Sequence, residues 1–203
     1  MKHRILIAAA QELNDRGVRF TVEAVAARLG ISKKTLYQYY ASKDALITAI
    51  TDAVINDLTV QREAILASKG CLAHKITGLL SLQPCQIGPI REWVIEDFRR
   101  LKPAEWQKLE QFRREHVDIL SRLLSDGQQL GHVRPVDSRV AAKTFYDAVT
   151  ALFNTRFLQD NKLTFQQAIA NITDIFLYGV LIRSEQTHDN APTAALFAIA
   201  QKG

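Results

Sequence analysis

Between Thr21 and Tyr39 the chain spaces its apolar and small residues in a way that few tertiary arrangements tolerate. Counting from Val22, apolar side chains fall at the fourth, eighth, tenth and fifteenth places (Val25, Leu29, Ile31, Leu36), a small one at the fifth (Ala26) and a glycine at the ninth (Gly30). Two helices that cross steeply over a tight turn approach most closely near Ala26, where a larger side chain would push them apart. Gly30 supplies the left-handed backbone of that turn at no steric cost. The four apolar residues turn inward against Ile5, Ala9 and Leu13 of a preceding helix, and Ser32 caps the second helix of the pair. The spacing predicts a helix-turn-helix over roughly Val22 to Tyr39.

The outward positions of its second helix carry Lys33, Lys34, Thr35, Tyr37 and Gln38. An ordinary helical hairpin with a glycine turn meets the same apolar spacing but has no need of this dense set of cations and hydrogen-bonding groups. A short helix so equipped enters the major groove of double-stranded DNA with its first residues at the base edges. Lysine donates to guanine, glutamine pairs with adenine, and the Thr35 methyl can touch a thymine methyl. Thr21, Tyr37, Tyr39 and Lys43 sit at helix starts or flanks, where phosphate contacts are usual. Charge agrees: residues 1–50 hold eight Lys/Arg against four acids, most of the net charge of +5, which suits a polyanion partner, although a solvated basic face has the same composition.

The remainder reads as helix, because helical periodicity recurs and no alternating strand pattern does. Helices are expected over Lys2–Arg16, from Thr21 to Gly30, from Ser32 to Tyr39, and from Ser42 towards Gly70. A fifth ends before the breaker Leu82–Pro89 and a sixth begins near Ile90. Pro103 opens a long one that closes at Gly131. Asp137 or Ser138 opens another to about Leu158, and the last long helix covers about Thr164–Arg183. The expected fold is all-α, with an N-terminal three-helix module (1–46), a C-terminal helical bundle (47–184) and a tail (185–203) in which Thr193–Gln201 could add a short helix. About nine helices are expected in total.

Other functions find little support. The chain has no Gly-rich phosphate loop, nucleophile elbow, His-Glu-x-x-His or carboxylate dyad, so an enzyme is not expected. Cys71 and Cys85 lack zinc-site spacing and read as free thiols before a redox pair. Neither metal nor cofactor is expected. No apolar run is long enough to span a bilayer and no signal peptide opens the sequence, so no membrane partner and a cytoplasmic location are expected.

From Thr21 to Leu46 the sequence (TVEAVAARLGISKKTLYQYYASKDAL) resembles the DNA-binding segment of the TetR-type regulators. Arg4, Ile5, Leu6, Ala8, Ala9, Arg16 and Gly17 match that family's first helix. The resemblance implies phosphate contacts from Thr21, Tyr37, Tyr39 and Lys43, and base contacts from the Lys33–Gln38 set. Two positions depart from the family: Lys34 replaces a usual glycine or alanine, and Glu12 a usual leucine, a change expected to matter little on an exposed edge.

The last two long helices are apolar over more than one face, as helices buried from two sides are. The resemblance implies that a second copy covers one of those faces. The candidate interface is Phe145, Val149, Leu152, Phe153, Ile172, Ile175, Phe176, Gly179 and Val180; a monomer with a thick core is the alternative. In the family the middle helices enclose a small-molecule pocket, for which Trp93, Phe98, Trp106, Phe112, His116 and Tyr146 are the candidates here. Glu92, Glu96 and Asp97, beside Arg91, Arg99 and Arg100, read as a solvated charged face. The expected function is a homodimeric transcriptional regulator, a repressor released from a palindromic operator by an unknown effector. The competing class is a DNA-binding module that answers to a protein partner or to no effector at all.

Overall fold

Helix α1 (Lys2–Arg16) ends at Gly17, whose φ of 63° strains any residue but glycine. A 3₁₀ turn over Gly17–Arg19 feeds α2 (Val22–Leu29), where Thr21 Oγ1 accepts the Ala24 N–H at 3.1 Å. Gly30 closes α2 in the left-handed conformation (φ 64°, ψ 32°) that the tight turn demands. Ser32 then caps α3 (Lys33–Tyr37) through the Thr35 N–H at 3.0 Å, and Ser42 caps α4 (Lys43–Ala67) through Ala45. The body continues with α5 (Leu72–Leu80), α6 (Glu92–Leu101), α7 (Pro103–Gln129), α8 (Ser138–Leu152), α9 (Arg156–Asp160) and α10 (Phe165–Val180). This computed structural model describes residues 1–88, 90–152 and 156–182, without the side chains of Glu92 and Arg156.

The architecture is all-α, with ten α-helices among the described residues rather than about nine. The difference lies mainly beyond α8. One helix was expected to run to about Leu158; the described residues divide it into α8, to Leu152, and α9, from Arg156, and residues 153–155 between them lie outside the described residues. The turn at Gln38–Tyr39 shortens α3, and α10 stops at Val180, where an isolated antiparallel bridge joins Leu181 to Val133. The expected tail and its short helix lie outside the described residues.

One apolar core fills the space among α1 to α4, with Ile5, Ala9, Leu13, Phe20, Val25, Leu36, Leu46 and Ile50 buried in it. It does not end at the expected boundary near residue 46: α4 runs unbroken through it, and Ile87, Val94 and Phe98 join the same cluster. A second core brings together α5, α7, α8 and α10 around Ile76, Leu120, Leu124, Phe145 and Val180. The head is thus continuous with the body through a shared helix and a shared core.

Glu12 corrects the expectation of an exposed edge. It is 3% exposed, and its carboxylate meets Arg28 at 2.7 Å and Arg16 at 3.3 Å. Arg28 also pairs with Asp15 at 2.8 Å. Charge tethering therefore reinforces the apolar contact of α1 with α2; the guanidinium reaches across to a carboxylate sited where a leucine would otherwise pack.

Candidate DNA interface and effector cavity

The helix-turn-helix presents one polar face. Thr21, Lys33, Lys34, Gln38, Tyr37 and Tyr39 are exposed, while Thr35 and Lys43 are partly buried. The buried members of the same segment, Leu36 and Tyr40, hold this face in place; the Tyr40 hydroxyl donates to the Lys2 carbonyl at 3.4 Å. The two lysines differ. Lys33 forms an ion pair with Glu23 of α2 and lies over the Tyr37 ring at 5.7 Å, whereas Lys34 has no ion pair among the described residues. Hydrogen bonding to Glu23, then its charge, raises the Lys33 pKa from the ordinary lysine value. Lys43 rests 5.1 Å from the centre of the Phe20 ring; its pKa is lowered, first by burial and then by Lys102.

Below the head lies an apolar cavity of about 370 Å³, within the range usual for small-molecule sites. Its walls come from α4 (Thr51, Val54), α5 (Leu79, Leu80), α6 (Val94, Ile95, Phe98), α7 (Trp106, Phe112, Arg113, His116) and α8 (Phe145, Tyr146, Val149). Five of the pocket candidates, Phe98, Trp106, Phe112, His116 and Tyr146, line it. Trp93 does not. It is 43% exposed and packs on the other side of α6, close to Gly17. Sequence pattern marks it as a large aromatic residue but does not say which face of α6 turns inward.

The polar groups of the cavity are few. The Arg113 guanidinium lies between the Trp106 and Tyr146 rings, at 5.4 and 5.5 Å from their centres, and pairs with Glu110 at 2.9 Å. Burial pushes the Tyr146 hydroxyl up to about 12. His116 is 9% exposed. Burial and then the charge of Arg62 bring its pKa down to about 4, against a hydrogen bond to the Leu79 backbone. Leu13 of α1, residues 82–84, and Thr164, Phe165, Gln166 and Ile169 at the start of α10 add to the lining. The loop of residues 82–84 is tied to α4 by Asp57, whose carboxylate accepts the Cys85 N–H at 2.7 Å and the Gln86 N–H at 3.0 Å. Sequence reading missed Arg113 and Asp57, because nothing in a charge on a polar helix marks the neighbour it will meet.

Helix α6 touches both the cavity and the head. Val94, Ile95 and Phe98 face the cavity, while on the neighbouring face Asp97 Oδ2 accepts the Val18 N–H at 3.3 Å. Just before α6, the Arg91 N–H donates to Asn14 Oδ1 at 2.8 Å. The charged face expected on α6 is therefore only partly a solvated one: the Asp97 carboxylate joins the body to the head, and the Arg91 backbone adds to the joint while its side chain stays exposed. Further links run from α7 to α4, where Thr48 donates to Glu105 at 2.7 Å and Lys108 pairs with Asp52 at 2.7 Å.

The candidate dimer residues divide. Phe145, Leu152 and Val180 are buried within the protomer, and Val149, Ile172 and Phe176 pack against its core. Burial inside one chain takes Phe145, Leu152 and Val180 off the surface, whereas Val149, Ile172 and Phe176 keep part of theirs; Phe145 and Val149 also line the cavity. Ile175 is 71% exposed, Tyr178 is exposed one turn further along α10, and Ile182 is exposed just beyond the helix end. A Cβ on Gly179 would meet nothing within 4 Å. Phe153 lies outside the described residues.

A helix-turn-helix head thus sits on an all-helical body, the architecture of a class of DNA-binding proteins. Residues 5–50 match the family described as bacterial regulatory proteins, tetR family. An uncharacterized HTH-type transcriptional regulator of Bacillus subtilis, YvaF, is 23% identical over 186 residues, covering 91% of this chain and 98% of that protein. Among solved structures, the ketosteroid transcriptional regulator KstR2 of Mycobacterium tuberculosis superposes with a TM-score of 0.66 at 20% identity, covering 90% of this chain and 95% of that one. SmeT, the repressor of a multidrug efflux pump in Stenotrophomonas maltophilia, gives 0.65 at 20% identity, with 94% and 96% covered. Residues 5–50 are therefore a tetR-family DNA-binding segment, and the chain as a whole shares the fold of these two regulators. No helix among the described residues is long and apolar enough to cross a membrane.

Proposed function

We propose that the protein is a homodimeric repressor that occupies a near-palindromic operator in the bacterial cytoplasm and leaves it when a small molecule fills the cavity. The observation that carries this reading is the double role of α6, which lines the cavity with Val94, Ile95 and Phe98 and holds the head through Asp97. A ligand that binds the DNA-incompetent arrangement more tightly moves the population towards it. A cavity of this size favours ligand control over a partner protein or no effector, since a module without an effector has no use for unfilled core.

Dimerisation follows from the reading surface and an exposed apolar face together. One short helix makes too few base contacts for a selective site, so such modules read half-sites about 34 Å or a multiple apart. Ile175 and Tyr178 on α10, with Ile182 just beyond its end, offer exposed apolar surface for the partner copy, of the kind that marks an interaction surface. Within each copy, Lys34, Thr35, Tyr37 and Gln38 address the bases and Thr21, Tyr37, Tyr39 and Lys43 the phosphates. Lys33 is shared between the DNA and Glu23.

The test is a gel-shift titration of the protein's own promoter region with the wild type, Lys34→Ala and Tyr37→Ala, repeated with compounds that raise its melting temperature. Weaker binding by both variants and release by a stabilising compound are expected. Unchanged affinity in both variants would remove the assignment of the reading helix. Stabilising compounds without effect on DNA binding would remove the effector mechanism.

A further inference from the structure

The cavity wall is almost entirely apolar, yet it contains one buried polar atom without a partner, the Nδ1 of His116. The imidazole stacks beside Phe112 with ring centres 6.1 Å apart, and its hydrogen bond goes to the Leu79 backbone. A ring that gives its proton to a backbone carbonyl through one nitrogen presents a lone pair at the other. A buried acceptor left without a donor costs free energy, which makes it a fixed vacancy for a donor carried by a ligand.

The cation that lines the cavity is already committed: Arg113 pairs with Glu110 at 2.9 Å and is flanked by two aromatic faces. Arg62, behind the lining, lies over Phe112 at 4.8 Å and faces Glu115 at 4.0 Å, with its Nη1 buried and without a hydrogen-bond partner. An anionic group entering this apolar space would lose its hydration, and the cation it would meet in the lining, Arg113, is already paired with Glu110. The neutral state of His116, with a pKa of about 4, likewise offers an acceptor and no positive charge.

We infer that the effector is an uncharged, mostly apolar molecule with one hydroxyl, which donates its proton to Nδ1 of His116. A cavity of about 370 Å³ has room for roughly a dozen groups the size of a water molecule, so a chain or fused-ring alcohol of about that many non-hydrogen atoms fits. This inference rests on the reading of the cavity as the effector site and adds to it a ligand class and the residue that selects it.

Calorimetric titration of the full-length protein with decanol, methyl decyl ether and decanoate tests it, with operator binding followed in parallel. The three probes share an apolar chain and differ in the group offered to His116. Decanol is expected to bind about fivefold to tenfold more tightly than the ether, and decanoate more weakly than decanol. His116→Leu should erase the preference for decanol over the ether while keeping apolar binding. His116→Gln, which keeps an acceptor and a donor for Leu79, should restore part of it; circular dichroism checks that both variants fold. Equal affinity for alcohol and ether, a preference that survives His116→Leu, or tighter binding of decanoate would overturn the assignment. A preference dependent on His116 without any release of operator would leave the hydrogen bond standing and sink the effector reading. If none of the probes binds, both fall.

Discussion

Asp97 of α6 accepts the backbone N–H of Val18 at 3.3 Å, so a helix that lines the cavity also holds the turn between α1 and α2. Space at this joint is tight: a Cβ on Gly17 would stand 2.2 Å from Asp97 Oδ2 and 2.8 Å from the Trp93 ring. Gly17→Ala therefore adds a clash with α6 to the strain of a positive φ. It should lower stability by about 1–3 kcal/mol and loosen the head, seen as a lower melting temperature and faster amide exchange at Val18. Asp97→Ala leaves the buried Val18 N–H without its partner and should cost about 1–3 kcal/mol. Val18 exchange that stays slow in both variants would show that the joint is held elsewhere.

The two lysines at the start of α3 should differ in their weight on DNA. Lys33 must release Glu23 to reach a phosphate or a base, and Lys34 has no such tie among the described residues. Lys34→Ala should cost about 1–3 kcal/mol of operator affinity if it reads a base, or flatten the salt dependence by about one unit if it holds a phosphate. Lys33→Ala should cost less than Lys34→Ala, and Glu23→Gln should strengthen binding by freeing Lys33. Gel-shift titrations over a range of salt concentrations separate these outcomes; a larger loss for Lys33→Ala would reverse the assignment.

Much of this arrangement is legible in the sequence, and its gaps have physical causes. The helix-turn-helix is specified by local rules: caps at Thr21, Ser32 and Ser42, a left-handed Gly30, and apolar spacing. Cavity aromatics could be found because large side chains on amphipathic helices face inward more often than not; Trp93 is the exception. What the pattern lacks is direction in three dimensions. It records Phe145 and Ile175 as equally apolar, although one is 5% exposed and the other 71%. Nor does it pair distant charges: Glu12 with Arg28, or Asp57 with the backbone of residues 85–86, join positions that only the finished fold brings together.

The contrast between Phe145 and Ile175 gives a test of assembly. Ile175→Asp places a charge on an exposed surface and should leave the protomer folded. At a buried dimer face the same charge meets its symmetry mate and loses hydration, so sedimentation should shift from dimer to monomer and operator affinity should fall at least tenfold. Phe145→Asp instead puts the charge into the protomer's own core and should unfold the chain, as circular dichroism would register. An Ile175→Asp protein that still sediments as a dimer would place the interface on another surface.

Asp57 sets the acid stability of the loop that closes the cavity wall. Burial alone would raise its pKa, but hydrogen bonds from the Gln86 backbone, the Gln61 side chain and the Cys85 backbone outweigh it, and the net shift is downward. A carboxyl group with a lower pKa in the folded state stabilises that state above its unfolded pKa. Here the contribution is full above about pH 4 and fades as the pH falls through the lower folded value. Asp57→Asn keeps the shape but loses the charge-assisted acceptance of two backbone donors, and should cost about 1–3 kcal/mol at neutral pH. Melting curves should show that difference at pH 7 and a smaller one near pH 3. Limited proteolysis should cut near Gln83–Gln86 sooner in the variant, since that stretch reaches α4 through Asp57 and Gln61. A stability gap between the two proteins that is the same at both pH values would mean that the charge of Asp57 is not what holds the loop.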